Sequence, residues 1–393
     1  MNQPLPPPVR AAVLASPDYP FSPIDAPVKL DQNESFADFP APLKALALER
    51  MQQLPWHRYT DLHAEELTAA IARHDGWSAS GTVATTGSNV LIALLVQLAA
   101  LGGRVLTVKP NFALYALDAS LLGATLTEVP LRPDHSLDMD ALIAALETDA
   151  DAGTPAQPRG VIYLPRPHAP TGSLCELDGL DRLAWACPGW LLVIDEAYHH
   201  FTDTDARALA RQHPHVVLLR TFSKAWGLAG LRLGYALASD EVARQLRKLV
   251  PPFGVSVLQT VSALVALEHP DYLRERVAHT RSERERLFNA LRQHPTWQVA
   301  PSHANFLLVR TPDAARAHAD LLTQGVLVRR QDSLHGLQGC LRVTVGSVQE
   351  NDAFLRAAGL HLGSGTGSIG GGAAGDGGAV IGGGAAMGAG AGT

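Results

Sequence analysis

The chain has 393 residues, which is long enough for a large domain and a smaller one with a sizeable core. Its net charge is −6 and no block is rich in lysine and arginine, which argues against nucleic-acid binding. The opening MNQPLPPPVR lacks a signal-peptide pattern and no apolar run is long enough to span a bilayer, so we expect no membrane association. The three cysteines form no CxxC pair, which predicts free thiols in a reducing cytoplasm and no metal site.

Short apolar runs alternate with helical patterns in the first part of the chain. A proline-rich arm is assigned to 1–49 and to the smaller domain, and 50–265 is predicted to be the large domain. The predicted strands are 82–86, 104–110, 124–131, 160–165, 190–196, 215–221 and 232–238. The predicted helices between them are 88–101, 112–122, 138–149, 178–187 and 204–212. Several strands are apolar throughout, so we predict an α/β fold with a mostly parallel, doubly wound central sheet.

The pattern changes after about residue 255. Two long helices, 255–268 and 270–293, precede the strand-like runs NFLLVRT, GVLVRR and CLRVTVG. These elements predict a smaller α+β domain at 266–360. The remaining segment, 361–393, consists mostly of glycine and alanine, has little to bury, and is predicted to be a flexible tail.

Polar residues follow two of the predicted strands at their carboxyl ends, where α/β sheets bind ligands. The strand TVATT runs into Ser88 and Asn89 at the start of an apolar helix, whose free amides suit a phosphate. Taken alone, a helix-capping serine is the more common explanation. The strand WLLVI ends in Asp195, with Tyr198 three residues later, although a lone acid at a strand end is usually not functional.

The next strand, HVVLLR, ends in two hydroxyls and a lysine, namely Thr221, Ser223 and Lys224. Arg232 follows eight residues after the lysine. A lysine in a dry pocket has its charged form disfavoured, so it can attack an aldehyde. Pyridoxal phosphate is the cofactor that uses a lysine Schiff base and an acid on its pyridinium nitrogen. The combination therefore predicts pyridoxal phosphate, with its phosphate held by the hydroxyls, Arg232 and the amides near Ser88.

These segments together resemble the fold-type I aminotransferases, closest to the histidinol-phosphate aminotransferases, from about residue 28 to about 356. VIDEAYHHF and RTFSKAWGLAGLRLGYA are highly specific in combination. Supporting stretches are KLDQNES, HRYTD, TTGSNVLIALL, KPNFALY, PHAPTG, ANFLLVR, GVLVRR and LRVTVGSVQEN. The resemblance implies the fold of pyridoxal-phosphate enzymes of type I and an aminotransferase activity.

The resemblance also implies roles for residues around the cofactor. Asp195 would pair with the ring nitrogen, Tyr198 would hydrogen-bond the phenolic oxygen, and Lys224 would hold the aldehyde carbon and then move the proton. Phe112 would stack on the ring, although a core aromatic is the common alternative. The residues implied in phosphate binding are Ser88, Asn89, Thr221, Ser223 and Arg232.

Further implied roles concern the partner subunit and the substrate. Tyr59 would reach the phosphate of a neighbouring subunit's cofactor, which implies a homodimer with shared active sites. Arg342 would grip a substrate carboxylate and Arg329 a substrate phosphate, and a guanidinium fork suits both groups. Asn33 would line the substrate site from the arm. Tyr19 or Phe21 would help to close over the substrate.

The chain departs from the family pattern most clearly at LPRPHAPTG. Here Ala169 stands where the family has the asparagine that binds the cofactor's phenolic oxygen, so one donor is missing unless His168 or Arg166 reaches the site. A surface position is the expectation for a histidine in such a loop. Smaller departures are Thr60, where proline is usual, and Gly254, which lacks the usual side chain.

The function implied is an aminotransferase that interconverts histidinol phosphate and 2-oxoglutarate with imidazole-acetol phosphate and glutamate, in histidine biosynthesis. Three alternatives stay open at this point. The first is an aminotransferase for an aromatic or small amino acid, and the second is a threonine-phosphate decarboxylase on the same scaffold. The third is a pseudoenzyme without turnover, against which stand the intact Asp195, Tyr198, Lys224 and Arg232.

Overall fold

The computed structural model describes residues 8–19, 23–147 and 158–360, so the predicted tail at 361–393 lies outside the described residues. The helices are α1 (Ala11–Ala15), α2 (Ala41–Gln52), α3 (Glu65–Asp75), α4 (Ser88–Ala99), α5 (Ala113–Leu121), α6 (Met139–Glu147), α7 (Leu177–Ala186), α8 (Arg207–Gln212), α9 (Asp240–Arg247), α10 (Val257–Glu268), α11 (Asp271–Leu291), α12 (Ala314–Thr323) and α13 (Val348–Ala357). The strands are β1 (Val28–Leu30), β2 (Thr82–Thr85), β3 (Arg104–Lys109), β4 (Thr125–Pro130), β5 (Gly160–Pro165), β6 (Trp190–Asp195), β7 (Val216–Thr221), β8 (Gly234–Leu237), β9 (Gln298–Val299), β10 (Phe306–Arg310), β11 (Val326–Arg330) and β12 (Cys340–Thr344).

The larger sheet has seven strands in the order β2-β8-β7-β6-β5-β3-β4. Only β8 runs antiparallel to its neighbours, β2 and β7, and all other pairs are parallel. The predicted mostly parallel sheet is therefore confirmed, and each of its predicted strands agrees with the observed one to within two residues.

The central strands are apolar along their whole length because helices cover both faces of the sheet. Side chains of a strand alternate between faces. Accordingly Ile162 and Ile194 belong to one buried cluster, while Val161 and Val193 belong to another. The carboxyl ends of β5, β6 and β7 then lie side by side, which brings the polar residues after these strands together.

A buried ion pair lies at the same end of the sheet. The Arg220 guanidinium, on β7, donates to Glu196 Oε2 at 2.6 and 2.9 Å and to Asp75 Oδ1 at 2.8 Å. All three side chains are buried. Because breaking one partner of a buried pair leaves an uncompensated charge, this cluster fixes β6, β7 and α3 against one another. Asp195 and Thr221 are the sequence neighbours of Glu196 and Arg220.

The smaller sheet has five strands in the order β1-β11-β12-β10-β9. The runs NFLLVRT, GVLVRR and CLRVTVG form β10, β11 and β12, as predicted. The strand β1 comes from the N-terminal arm and pairs in parallel with β11, so the arm is attached to this sheet. All described residues fall in one compact unit, and the boundaries proposed at 49/50 and 265/266 stay predictions. In the described ranges no helix is long and apolar enough to cross a membrane.

Candidate active site

The start of α4 forms an anion cradle together with the turn after β7. A Cβ added to Gly234 would lie 2.2 Å from the amide nitrogen of Ser88, so only glycine lets β8 approach the helix start this closely. A Cβ added to Gly87 would lie 3.0 Å from Nη2 of Arg232, which places this guanidinium beside the first turn of α4. The first amides of a helix have no partner within the helix and carry partial positive charge.

Two hydroxyls complete the anion cradle, which we define as Gly87, Ser88, Thr221, Ser223 and Arg232. Thr221 Oγ1 accepts a hydrogen bond from the Ser223 amide at 3.0 Å, and Arg232 Nη1 donates to Ser223 Oγ at 3.3 Å. Both hydroxyl side chains are buried. Amides, hydroxyls and a guanidinium at one helix start suit a phosphate group. Asn89 follows in the same first turn, with an exposed side chain.

The carboxylate of Asp195 is held by two donors. The hydroxyl of Tyr115 donates to Oδ2 at 2.7 Å, and the amide of Ala197 donates to Oδ1 at 3.0 Å. Burial raises the pKa of Asp195, while these hydrogen bonds and the charge of Lys224 act in the opposite direction. Tyr115 itself is fully buried and its ring stacks in parallel on Tyr163 at 4.9 Å. Asp195 is therefore a rigidly held acceptor in a poorly hydrated place.

The amine of Lys224 points into the site rather than into bulk solvent. Nζ donates to the carbonyl oxygen of Gln32 at 3.0 Å and lies 5.9 Å from the centre of the Tyr198 ring. Burial lowers the pKa of Lys224 to about 8, and the positive charge of Arg342 adds to this effect. Glu34 and Asp195 act in the opposite direction. Around pH 8 a large share of this amine is thus neutral and nucleophilic.

The hydroxyl of Tyr198 faces the arm. Asn33 Nδ2 donates to the Tyr198 oxygen at 2.9 Å, and the tyrosine ring packs edge-on against Phe306 at 5.2 Å. Burial raises the pKa of Tyr198, and Arg342 and the hydrogen bond from Asn33 partly offset this rise.

Two arginines lie next to each other on the small sheet. Arg329 on β11 is the direct cross-strand partner of Arg342 on β12. Burial lowers the pKa of Arg342, and the charge of Arg329 lowers it further. Arg342 Nη2 also donates to the carbonyl oxygen of Asp31 at 2.7 Å. Two like charges this close attract anionic groups of a ligand.

We call residues 31–33 of the arm the arm strip. Asp31 contacts Arg342, Gln32 contacts Lys224, and Asn33 contacts Tyr198. Two of these contacts use main-chain carbonyls. The arm is fastened further along by Arg276, which donates to the carbonyl of Asp38 and to Trp226 O at 3.1 Å. The arm strip therefore forms one wall of the site.

Other predicted site residues are more exposed than this group. Tyr59 is 85% exposed and stacks on Phe253, with ring centres 4.8 Å apart. Phe112 is half-buried at the start of α5 and meets Tyr115 edge-on at 5.8 Å. Tyr19 is 47% exposed, yet it lies close enough to Tyr198 and Arg342 to act on the pKa of both, and Phe21 lies outside the described residues.

The expectation of a surface position for His168 is wrong. This ring is buried, with Nδ1 2.8 Å from Thr171 Oγ1 and Nε2 3.0 Å from Pro110 O. Because a carbonyl only accepts, Nε2 carries the proton, and burial lowers the pKa of His168 to about 4. Arg166 is buried as well and donates to Cys175 O and to Thr204. Both side chains donate to these other groups, so neither is the donor missing at Ala169.

Tyr115 and the carbonyls of the arm strip are site groups that were not predicted from the sequence. Tyr115 lies three residues after Phe112 in PNFALY, one helical turn on, and a fully buried phenol needs a hydrogen-bond partner. That spacing was a usable signal. Thr60 has a structural explanation too, because its hydroxyl donates to Val255 O at 2.8 Å.

Comparison with known proteins gives consistent results. Residues 26–357 match the family described as aminotransferase class I and II. The histidinol-phosphate aminotransferase of Deinococcus radiodurans is 50% identical over 89% of this chain and 95% of its own length. The enzyme of the same name from Thermococcus kodakarensis is 37% identical over 84% of this chain and 90% of its own length.

Among solved structures, the chain is similar to histidinol-phosphate aminotransferase from Sinorhizobium meliloti in complex with pyridoxal-5'-phosphate. The TM-score is 0.75 at 28% identity, over 85% of this chain and 90% of that chain. L-threonine-O-3-phosphate decarboxylase from Porphyromonas gingivalis, at 21% identity and a TM-score of 0.70 over 84% of this chain and 98% of that chain, shares the fold alone. The family match and the two relatives together show that this chain belongs to the class I and II aminotransferases.

Proposed function

We propose that this protein is a pyridoxal-phosphate-dependent aminotransferase that interconverts histidinol phosphate and 2-oxoglutarate with imidazole-acetol phosphate and glutamate. The relatives at 50% and 37% identity carry the name of this activity. The observation that carries the proposal is the position of the Lys224 amine, whose Nζ lies 3.0 Å from the carbonyl oxygen of Gln32 and 5.9 Å from the centre of the Tyr198 ring. Burial also lowers its pKa to about 8.

The residues present fit pyridoxal phosphate. The anion cradle offers amides, hydroxyls and a guanidinium for the phosphate, and the absence of a Cβ on Gly234 is what makes room beside Ser88. Asp195 offers a carboxylate for the ring nitrogen, and Tyr198 a hydroxyl for the phenolic oxygen. When bound, the cofactor supplies an aldehyde that takes up the amino group and a ring that spreads negative charge.

The chain's own residues perform the remaining work. The neutral amine of Lys224 acts first as a nucleophile and then carries a proton on Nζ to and from the reacting carbons. Asp195 would face the ring nitrogen as its acceptor, and the hydrogen bonds from Tyr115 and the Ala197 amide favour the charged carboxylate there. The arm strip lies against this place, because the Gln32 carbonyl and the Asn33 side chain contact Lys224 and Tyr198.

The two arginines on the small sheet would bind the anionic groups that distinguish the two substrates. Glutamate carries a carboxylate on the carbon that bears its amino group, and histidinol phosphate carries a CH2–O–phosphate group on that carbon instead. We assign the carboxylate to Arg342 and the phosphate to Arg329. Their position on neighbouring strands supports one site that takes both substrates in turn.

A homodimer is part of the proposal. Large apolar side chains are exposed around Tyr59 and on the segment it contacts, which is typical of a surface that pairs with another subunit. These side chains are Leu54, Trp56, Tyr59, Leu62, Phe253 and Leu258. We propose that Tyr59 reaches the anion cradle of the partner. Free thiols at all three cysteines support the cytoplasm as the place of action.

A half-reaction assay tests the proposed activity. Holoenzyme is mixed with one amino donor at a time, and loss of the yellow absorption band of the bound cofactor is followed by stopped flow. Histidinol phosphate and glutamate should bleach the band much faster than phenylalanine, alanine or phosphothreonine. Fast bleaching by phenylalanine alone would favour an aromatic aminotransferase, and release of carbon dioxide from phosphothreonine a decarboxylase.

A further inference from the structure

The loop after β5 lacks the hydrogen-bond donor that the family resemblance leads one to expect. Ala169 contributes only a methyl group, which packs against the buried apolar cluster that contains Tyr198. Its neighbours His168 and Arg166 are fixed by other partners. The cofactor's phenolic oxygen is thus left with Tyr198 as its donor from this part of the sheet.

Asn33 approaches the same tyrosine from the opposite side of the site. Its Nδ2 donates to the Tyr198 oxygen at 2.9 Å, and its Oδ1 accepts from Thr344 Oγ1 at 3.2 Å. The side chain is buried, and each end of its amide has a hydrogen-bond partner.

The backbone of Asn33 is anchored independently of its side chain. Its amide donates to Thr344 Oγ1 at 2.9 Å, and its carbonyl accepts from Asn305 Nδ2 at 3.0 Å. Its φ of 55° lies in the left-handed region, which asparagine and glycine tolerate better than other residues. Glycine can therefore replace Asn33 without loss of these anchors.

We propose that Asn33 is a positioning residue that orients and polarises the hydroxyl of Tyr198, and so takes over part of the role of the amide missing at Ala169. The inference rests on the proposed cofactor. Asn33 donates to a lone pair of the Tyr198 oxygen, so the hydroxyl hydrogen of Tyr198 stays available to donate to the cofactor. An oxygen that accepts one hydrogen bond also becomes a stronger donor through its own hydrogen.

The test is a pH titration of the visible absorption band of the holoenzyme. In Asn33→Gly the midpoint should rise by about half a unit to one unit, the size expected for loss of one neutral hydrogen bond. The midpoint should rise for the following reason. The cofactor's phenolic oxygen is more negative once the chromophore has lost its proton, so a hydrogen bond from Tyr198 favours the deprotonated form. A weaker donor at Tyr198 favours that form less, and the proton is lost at higher pH. Charged or titratable groups facing Tyr198 stay the same, namely Tyr19, Asp195, Lys224 and Arg342.

Two further variants separate this role from a general effect on the arm. In a Tyr198→Phe background, Asn33→Gly should leave the midpoint unchanged, because the hydroxyl through which it acts is gone. Ala169→Asn added to Asn33→Gly should return the midpoint toward the wild-type value. An equal shift with and without the Tyr198 hydroxyl, or no shift at all, would overturn the proposal.

If Asn33→Gly does not fold, Asn33→Asp serves instead, because it keeps the shape and replaces a donor with an acceptor. Its midpoint should rise more than that of the glycine variant, and an unchanged or lowered midpoint would contradict the inference. A wild-type protein that never develops a visible band with pyridoxal phosphate would overturn the proposed function and this inference together. If the wild-type protein shows the band and the titration midpoint of Asn33→Gly equals that of the wild type, only the inference is overturned.

Discussion

The anion cradle and the arm strip are built in opposite ways. The cradle joins two short segments beside the large sheet, residues 87–88 at the start of α4 and residues 221–232 between the end of β7 and the start of β8. The arm strip crosses from the small sheet and reaches Tyr198, Lys224 and Arg342 through contacts between distant parts of the chain.

The two regions should differ in their sensitivity to substitution. Short turns and a glycine fix the cradle, so a local steric change is sufficient to damage it. The arm strip depends on two main-chain carbonyls and one side chain, so most substitutions of its side chains leave its contacts in place. Substitutions in the cradle should therefore alter cofactor binding, and substitutions on the small sheet should alter the choice of substrate.

Lys224 lies where the two regions meet, and its loss should have the largest effect. Lys224→Ala should lower the transamination rate by about 10²–10⁴-fold or more, because the nucleophile and proton carrier are gone. Steady-state kinetics measure the rate, and mass spectrometry after borohydride reduction detects the covalent adduct, which should disappear. Lys248→Ala, at the end of α9, is the control and should keep both. An unchanged adduct in Lys224→Ala would contradict the assignment.

The arginines test whether the small-sheet side selects substrates. Arg329→Gln should raise KM for histidinol phosphate by about 10–100-fold, as expected for loss of a charge-assisted hydrogen bond, with a smaller change for glutamate. Arg342→Gln should show the reverse preference. Arg330→Gln is the control, since that exposed side chain pairs with Asp332. Single-turnover kinetics on each substrate measure the effects, and equal losses on both substrates from both arginines would refute the assignment.

Gly234 tests the cradle without changing any polar group. In Gly234→Ala the new Cβ would overlap the Ser88 amide, so the dissociation constant of pyridoxal phosphate should rise by about tenfold. Gly230→Ala is the matched control, because a Cβ there meets nothing within 4 Å. Fluorescence titration of the apoprotein measures both. Equal affinities would mean that the close approach of β8 to α4 does not shape the phosphate site.

The smallest expected effect is on the pH dependence of cofactor capture. Burial favours the neutral amine of Lys224 and lowers its pKa to about 8, so the rate of capture should rise with pH and level off above that value. Glu34→Gln removes a charge that favours the protonated amine, so the midpoint should move to lower pH by a fraction of a unit. Stopped-flow absorbance measures the rate, with the exposed Glu275→Gln as control. A midpoint that moves upward would show that Glu34 does not act on this amine.

The large sheet was predictable because its signals are local. The run GVIYLP matches β5 at both ends, since an uninterrupted apolar segment is typical of a strand covered on both faces. The helices α1, α2, α3, α9, α12 and α13 were not predicted. In α2 the only buried side chains are Ala47 and Met51, so its periodicity is weak. In α3, by contrast, the acidic first turn and Gly76 after the last turn were usable signals.

The site was predictable in the same uneven way. Thr221, Ser223 and Lys224 lie within four residues and carry a recognisable chemistry. The contact between Asn33 and Tyr198 joins residues 165 positions apart, and no local pattern indicates it. His168 was wrongly assigned to the surface because its partner, Pro110 O, belongs to another strand end, 58 residues earlier.

The contact between the Lys224 amine and the main-chain oxygen of Gln32 has a consequence for mutational scanning. Every amino acid carries such an oxygen, so almost any replacement at position 32 preserves the contact. A saturation library should therefore score this position as tolerant, although it touches the amine that we propose holds the cofactor. Nearness to the chemistry and sensitivity to substitution are separate properties here.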